Sequence, residues 1–382
     1  MSDQAPPPEI PEWLKVVWVW DDSIGQLRVN ILFDCAVNAF RALLEEVGPN
    51  KTLEAIKPIN KIIGMSLFEG AKQRFGLQGN DAEVVIMPYY WCHCGTSGGD
   101  IKPMEIRDGM AVVEVGSCPV PQFNAPPEIC VAMSHFISEG VSEAANPEYE
   151  YIWTHHLVNG DDYCRYIVKK KSVKYDPTTL GKLEKTVSLD LSKQEMGAAS
   201  TMVGWSQLNV FTLTSVNLIG SKRTIKLAGP LANKAGNKLG IKLIEGDKRK
   251  RDLNMVREKL DFLGPVLMQS GEPATITDVG IEKEVVGCPL KNSEPEVCKH
   301  LEAFFNGVCE AINPNYEFAY DHMMSKGDPT CHWTIKKRDE VIKDAPLEDP
   351  SRSLALRFGR GEISLGEFEQ GMDSLKKHKV VT

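Results

Sequence analysis

The sequence contains a long internal repeat, and this repeat constrains the fold more than any other feature. Identical residues recur 167 positions apart in the pairs Gly140/Gly307, Asn146/Asn313, Tyr149/Tyr316, His155/His322, Gly160/Gly327 and Cys164/Cys331. The pairs Gly48/Gly220 and Pro58/Pro230 extend the match upstream at an offset of 172. A unit of this length has the size of a domain and not of a solenoid repeat. The sequence therefore predicts two tandem domains that share one fold.

The repeat unit shows alternating signals for helices and strands. In the first copy, helical spacing predicts helices over residues 27–47 and 58–75, and a third helix from the Pro-Glu-x-Cys motif to Asn146. Strand-like runs are expected at Ala82–Trp91, Met104–Gly116, Tyr149–His156 and Tyr163–Lys170. These elements predict an α+β fold in which helices cover one face of an antiparallel sheet.

The repeat and its flanks predict five segments. They are a Pro-rich arm (1–24), a first α+β domain (25–172), a linker (173–196), a second α+β domain (197–340) and a helical hairpin tail (350–382).

Composition limits the function classes. A formal net charge of −8 argues against a general nucleic-acid binder. No apolar run approaches the roughly 18 residues of a membrane helix. The acidic, Pro-rich start lacks the pattern of a secretory signal, which favours a cytoplasmic location. In that compartment the ten cysteines are expected as thiols and not as disulfides.

Cysteine and histidine residues matched between the copies form the main candidate site. The matched residues are Cys118, Cys130, His155 and Cys164 in the first copy, and Cys288, Cys298, His322 and Cys331 in the second. Thiolates and imidazoles are the ligands that zinc prefers, so each set is a candidate metal site. Free cysteines are also among the most buried residues, so simple core packing is an alternative interpretation.

The same residues support a third interpretation, catalysis. A thiol next to an imidazole can become a nucleophile, so His155 with Cys164 and His322 with Cys331 are candidate catalytic pairs. The first copy also carries a run that the second lacks. Two thiols and an imidazole follow aromatic residues there, which is typical of a ligand or cofactor contact, in the run Tyr90, Trp91, Cys92, His93 and Cys94.

The Cys-Pro, Pro-Glu-x-Cys and Gly-Asp-x-x-Cys motifs of each copy resemble those of the 4-vinyl-reductase (hydrocarbon-binding) domain family and the related L-2-amino-thiazoline-4-carboxylic acid hydrolase-like family. The resemblance covers about residues 29–170 and 203–337. It implies a cavity between helices and sheet that binds small apolar or aromatic molecules. It also implies zinc ligands at Cys130 and Cys164 and at Cys298 and Cys331, whereas the acidic ligand of that family has no counterpart in this sequence.

The tail resembles a short C-terminal oligomerisation domain. The pattern Gly-x-Ile-Ser-x-x-Glu-Phe, from Gly361 to Phe368, carries the match and implies self-association.

Three functions remain open from the sequence. The first is a cytoplasmic protein that binds a small apolar or aromatic molecule and is a candidate to hold structural zinc. The second is a Cys/His-dependent hydrolase acting on a cyclic C–N or C–S bond. The third is a scaffold subunit of a larger complex.

Overall fold

A computed structural model describes residues 22–98, 100–176, 181–267, 269–278 and 280–338, together with Gln370. The fold is α+β, as predicted, with two antiparallel sheets covered by helices. The Pro-rich arm up to residue 21 and the tail, apart from Gln370, lie outside the described residues. None of the described helices is both long and apolar enough to span a bilayer.

Two long helices begin the first half. Helix α1 (Asp22–Val47) ends at Gly48, whose φ of 83° suits glycine, and helix α2 (Pro49–Phe75) follows at once. Pro49 occupies the first turn of α2, where a missing N–H costs nothing. Helix α2 ends at Gly76 in the left-handed conformation. The predicted helix over residues 58–75 is therefore correct but begins nine residues earlier.

The third element corrects the sequence interpretation. The run Ala82–Trp91, predicted as a strand, belongs to helix α3 (Ala82–Thr96). The side chain of Asp81 caps this helix by accepting a hydrogen bond from the Val84 N–H at 3.1 Å. Most residues of α3 are buried, so its sequence is apolar on all sides and lacks the amphipathic period that identifies surface helices.

The first sheet has five strands. They are β1 (Met104–Arg107), β2 (Met110–Val115), β3 (Tyr149–His155), β4 (Cys164–Lys170) and β5 (Leu183–Val187). Their order is β3-β4-β2-β1-β5, and all neighbours are antiparallel. Strand β5 lies inside the predicted linker, so part of that segment completes the edge of the sheet.

A mixed helical segment connects β2 to β3. It consists of a 3₁₀ turn (Val120–Phe123), one α-turn (Glu128–Cys130), a π-helical turn (Val131–His135) and helix α4 (Phe136–Ala145). A 3₁₀ turn (Leu157–Asn159) and Gly160, at φ 91°, then join β3 to β4, which agrees with the predicted hairpin.

The second half repeats this order of elements. Its helices are α5 (Lys193–Ile219), α6 (Ser221–Leu243), α7 (Leu253–Val266) and α8 (Pro295–Ile312). Its strands are β6 (Thr275–Thr277), β7 (Gly280–Val285), β8 (Tyr316–His322) and β9 (Cys331–Lys337), in the order β6-β7-β9-β8. Helix α7 is the counterpart of α3 and was also missed from the sequence.

The chain divides into two compact units, one ending at Thr224 and one beginning at Ile225. Helix α5, the first helix of the second sequence copy, therefore belongs to the first unit. It packs against α1 there, with the Phe40 and Phe211 rings 4.9 Å apart. That the two copies form independent tandem domains stays a prediction.

Paired glycines allow close helix contact in both units. In the first unit, a Cβ on Gly64 would overlap the Ile137 carbonyl, and a Cβ on Gly140 would overlap that of Lys61. In the second unit, Gly236 and Gly307 make the equivalent approaches. Any side chain at these positions forces the helices apart, which explains a glycine inside the helix of the repeat.

Candidate functional site

The first unit encloses a cavity of about 270 Å³ between its helices and its sheet. Helices α2, α3 and α5 contribute to its wall, together with the π-helical turn and strands β2, β3 and β4. Most of the lining is aliphatic or aromatic, and within the described residues it contains no Asp, Glu, Lys or Arg. The lining residues with aromatic rings or polar groups include Tyr89, Trp91, Cys92, His93, Ser134, Trp153 and His156.

Helix α3 selects which residues of the predicted ligand-binding run reach the cavity. Tyr89, Cys92, His93 and Thr96 lie on one helical face, at the spacing i, i+3, i+4 and i+7, and all four line the cavity with Trp91. Tyr90 and Cys94 do not line it. Tyr90 is buried, interacts with the Met104 and Leu189 backbones, and has its pKa raised to about 12 by that burial.

A β-bulge at the end of β3 decides which of the adjacent histidines, His155 or His156, faces the cavity. Trp153 pairs with Tyr166 and His155 pairs with Arg165, so two residues of β3 oppose one of β4. The alternation of side chains shifts at this point, and Trp153 and His156 line the cavity whereas His155 does not. The His155 ring stacks instead on Tyr163, with ring centroids 4.7 Å apart.

The structure does not bring together the predicted catalytic pair in either unit. Cys164 lines the cavity and accepts a hydrogen bond from the Leu157 N–H at 3.2 Å, while His155 contacts Tyr163. In the second unit His322 stacks on His332, with centroids 5.4 Å apart. There Cys331 accepts a hydrogen bond from the Met324 N–H at 3.1 Å. A bulge between Tyr320 and His322 has the same effect as that in β3.

The matched cysteines of the first unit converge on one side of the cavity, but as thiols. Burial raises the pKa of Cys118 to about 12 and raises the pKa of Cys130 and Cys164 as well. The neighbouring sulfurs of Cys118 and Cys164 raise the pKa of Cys130 further. Burial also raises the pKa of Cys92 to about 12. Thiolate, the reactive form, is therefore disfavoured at neutral pH.

The second set of cysteines shares this environment. Burial raises the pKa of Cys288 to about 12, that of Cys298 to about 11, and that of Cys331 in the same direction. The Cys298 sulfur lies 3.1 Å from the Ser325 hydroxyl, which supplies a local hydrogen-bond partner.

The predicted zinc sets do not fit as proposed from the sequence, because His155 and His322 are occupied by ring stacking outside the cysteine clusters. Among the described residues, no group of three or more His, Cys, Asp or Glu side chains is arranged to hold a metal ion. Zinc stays a prediction, and metal analysis of the purified chain tests it. One zinc per cysteine set would support it, and a metal-free preparation never exposed to chelator would contradict it.

His93 presents a hydrogen-bond acceptor to the cavity. Its Nδ1 atom lies 3.2 Å from the Tyr89 carbonyl oxygen and 3.2 Å from the Tyr166 hydroxyl. A carbonyl only accepts, so Nδ1 carries the ring proton. Burial lowers the pKa of His93 to about 4, so the ring is neutral at pH 7. The lone pair on Nε2 is then available to a donor in the cavity.

Three further rings stack beside this position. The rings of His135, Trp153 and His156 lie nearly parallel, with centroids 5.4–5.7 Å apart. His135 Nε2 and His156 Nδ1 are buried without a hydrogen-bond partner in the described part of the chain. Burial lowers the pKa of both rings, that of His135 to about 4, so both are neutral at pH 7.

The π-helical turn that carries Met133 and Ser134 into the cavity has a sequence origin. Cys130 and Gly140 are ten residues apart, whereas their counterparts Cys298 and Gly307 are nine apart. The extra residue of the first copy coincides with the π-helical turn, and helix α8 of the second unit is α-helical throughout. This change of spacing was visible in the sequence and marks the copy with the cavity.

Three matching positions in the second unit carry larger, more apolar side chains, whereas Gly264 stands at the position of His93. Leu263 stands at the position of Cys92, Phe304 at that of Ile137 and Met323 at that of His156, and each is buried. Phe304 packs beside Phe305, whose ring contacts Phe318 at 4.9 Å between centroids. These three positions thus carry bulkier side chains in the second unit than in the first.

Comparison of the chain with family models, with curated proteins and with solved structures gave no match.

Proposed function

We propose that this protein binds a small, uncharged, largely apolar aromatic molecule in the cavity of its first unit. The observation that carries the proposal is a cavity of about 270 Å³ with an aromatic and aliphatic lining. A mostly apolar lining with a few polar groups, such as His93, Ser134 and His156, is the usual design of a small-molecule site. The resemblance to hydrocarbon-binding domains supports the same conclusion.

The volume limits the size of the ligand. An apolar cavity of about 150 Å³ is large enough for benzene. A cavity of about 270 Å³ therefore suits a fused bicyclic aromatic molecule. The rings of Tyr89, Trp91 and Trp153 in the lining offer edge and face contacts to such a molecule.

The electrostatics limit its charge. The thiols are protonated and the histidines are neutral at pH 7, so no lining group among the described residues offsets a buried charge. Transfer of an unpaired charge into such a site is strongly unfavourable. A neutral ligand with one O–H or N–H donor is favoured because His93 Nε2 can accept from it.

The other predicted functions receive less support from the geometry. A Cys/His hydrolase needs a thiolate beside a base, and the predicted pairs lie apart with thiols of raised pKa. The scaffold role and self-association depend on the arm and tail, which lie almost wholly outside the described residues. Both stay predictions, as does the cytoplasmic location.

Isothermal titration with three related compounds tests the proposal. We expect 2-naphthol to bind, and naphthalene to bind up to about tenfold more weakly, because it lacks the donor for His93. The anion 2-naphthoate should not bind measurably. In His93→Leu the preference for 2-naphthol over naphthalene should disappear, whereas the control His322→Leu, outside the cavity, should retain it. Absence of binding by all three compounds, or tight binding of 2-naphthoate, would contradict the proposal.

A further inference from the structure

One face of helix α2 connects the cavity to the protein surface. Ile63, Ser66, Leu67 and Gly70 line the cavity at the spacing of a single helical face. Ser66 and Gly70 also line a shallow depression on the outside of the unit, together with Glu69 and Gln73. Ser66 is exposed and Gly70 is half-buried, so the cavity and the surface meet at these two residues.

Helix α5 faces this part of α2, since Gln207 hydrogen-bonds Asn60 and Glu195 forms an ion pair with Arg74. Met202 and Ser206, one turn apart, line the same cavity. The Met202 side chain is 39% exposed, which is unusual for a large apolar residue in a cavity wall. Flexible, exposed methionine next to a small residue on the facing helix is consistent with an opening between α2 and α5.

Gly70 has no packing reason to be glycine. A Cβ at Gly70 would meet no atom within 4 Å, whereas a Cβ at Gly64 of the same helix would overlap the Ile137 carbonyl. A glycine inside a helix costs about 1 kcal/mol relative to alanine. At Gly70 no neighbouring atom requires a glycine, and the effect of the missing side chain is to leave space beside the cavity. At the matching position of the second copy stands Lys242.

We infer that Gly70 keeps open the entrance through which ligands reach the cavity, between helices α2 and α5. This inference rests on the proposed binding function for its biological meaning, but the opening itself can be tested without a ligand. A larger side chain at position 70 should narrow the passage. It should slow entry and exit together.

Accessibility of the cavity thiols measures the opening directly. Methyl methanethiosulfonate, a small thiol reagent, would be added at fixed pH, and modification of Cys92, Cys130 and Cys164 followed by peptide mass spectrometry. We expect about tenfold slower modification in Gly70→Leu than in the wild type. Cys298 in the second unit serves as an internal reference whose rate should not change. Lys242→Leu, which places the same side chain at the matching position, is the control variant.

Ser66→Leu provides a second variant at an exposed position one turn away, should Gly70→Leu fail to fold. Stopped-flow measurement with 2-naphthol should show both association and dissociation slowed in these variants. Equal thiol modification rates in the wild type and both variants would overturn the entrance. If the wild type binds no 2-naphthol but thiol modification is still slower in Gly70→Leu than in the wild type, the proposed function is overturned and the entrance is retained.

Discussion

Replacing Cys92 by leucine should stabilise the first unit and weaken its binding of aromatic molecules. Cys92 is 6% exposed and lines the cavity, and its thiol, unlike its carbonyl, which accepts from the Thr96 hydroxyl, has no described hydrogen-bond partner. The caps Asp81 and Asp252 start helices α3 and α7 at an offset of 171, which aligns Cys92 with Leu263. Leu263 is fully buried. The variant therefore places in the first unit the leucine that the second unit has at the matching position.

The expected magnitude follows from the added atoms. Leucine adds two carbon-sized groups over cysteine, and each contributes about 0.8 kcal/mol when buried. We expect the free energy of unfolding of the first unit to rise by about 1–2 kcal/mol. The same atoms occupy space that the ligand needs, so the affinity for 2-naphthol should fall at least about tenfold.

Urea denaturation and titration calorimetry measure the two effects. The reciprocal variant Leu263→Cys is the control. It should lower stability by about 2 kcal/mol through cavity formation in the second unit and leave 2-naphthol binding unchanged. If Cys92→Leu instead lowers stability and retains wild-type affinity, Cys92 does not face an open cavity and the reasoning fails.

Three other predictions follow from the same geometry. Gly140→Ala and Gly307→Ala should each lower the free energy of unfolding by about 1–3 kcal/mol, because the new Cβ overlaps a carbonyl of the facing helix. Gly70→Ala should leave the free energy of unfolding unchanged or raise it. Urea denaturation measures all three, and equal effects at the three positions would contradict this account. Burial lowers the pKa of His93, His135 and His300 to about 4, against 6.5 for an exposed histidine, so between these values the unfolded chain binds more protons. The free energy of unfolding should therefore be highest above about pH 6.5 and fall as the pH falls toward 4, and a flat profile from pH 7 to 5 would count against buried neutral histidines. Deletion of Val131 should convert the π-helical turn to the spacing of the second copy, and calorimetry should then show loss of 2-naphthol binding in a chain that still unfolds cooperatively; full retention of affinity would show that the π-helical turn does not shape the site.

The repeat explains how much of the fold the sequence could predict. The terminal strands and the helix before them were predicted within a few residues, because Asn-Pro, Gly-Asp and the alternating pattern mark their ends locally. Helix α3 was mistaken for a strand because it is buried on nearly every side. Burial of this kind is set by tertiary structure and removes the periodicity on which the prediction depends. The Asp81 cap was the available signal.

The lining of the cavity was predicted in part for similar reasons. The run from Tyr90 to Cys94 lies on a helix that lines the cavity, but a strand interpretation could not tell that Cys92 and His93 face it while Tyr90 and Cys94 do not. That this run binds a ligand stays a prediction. The choice of His155 over His156 failed at the bulge, because a single extra residue in β3 reverses the alternation and has no distinct local signature. The wall contributed by α5 depends on contacts between residues more than 100 positions apart, and the local patterns of a single sequence do not reveal such contacts.

The number of ligands bound per chain tests the central proposal most directly, that the first unit binds an aromatic molecule and the second, with bulkier Leu263, Phe304 and Met323, does not. Native mass spectrometry at a 2-naphthol concentration just sufficient to fill the wild-type site should show one bound molecule per chain, and a markedly smaller bound fraction in Cys92→Leu. Two molecules per wild-type chain, or one molecule that persists in Cys92→Leu and His93→Leu alike, would contradict the account.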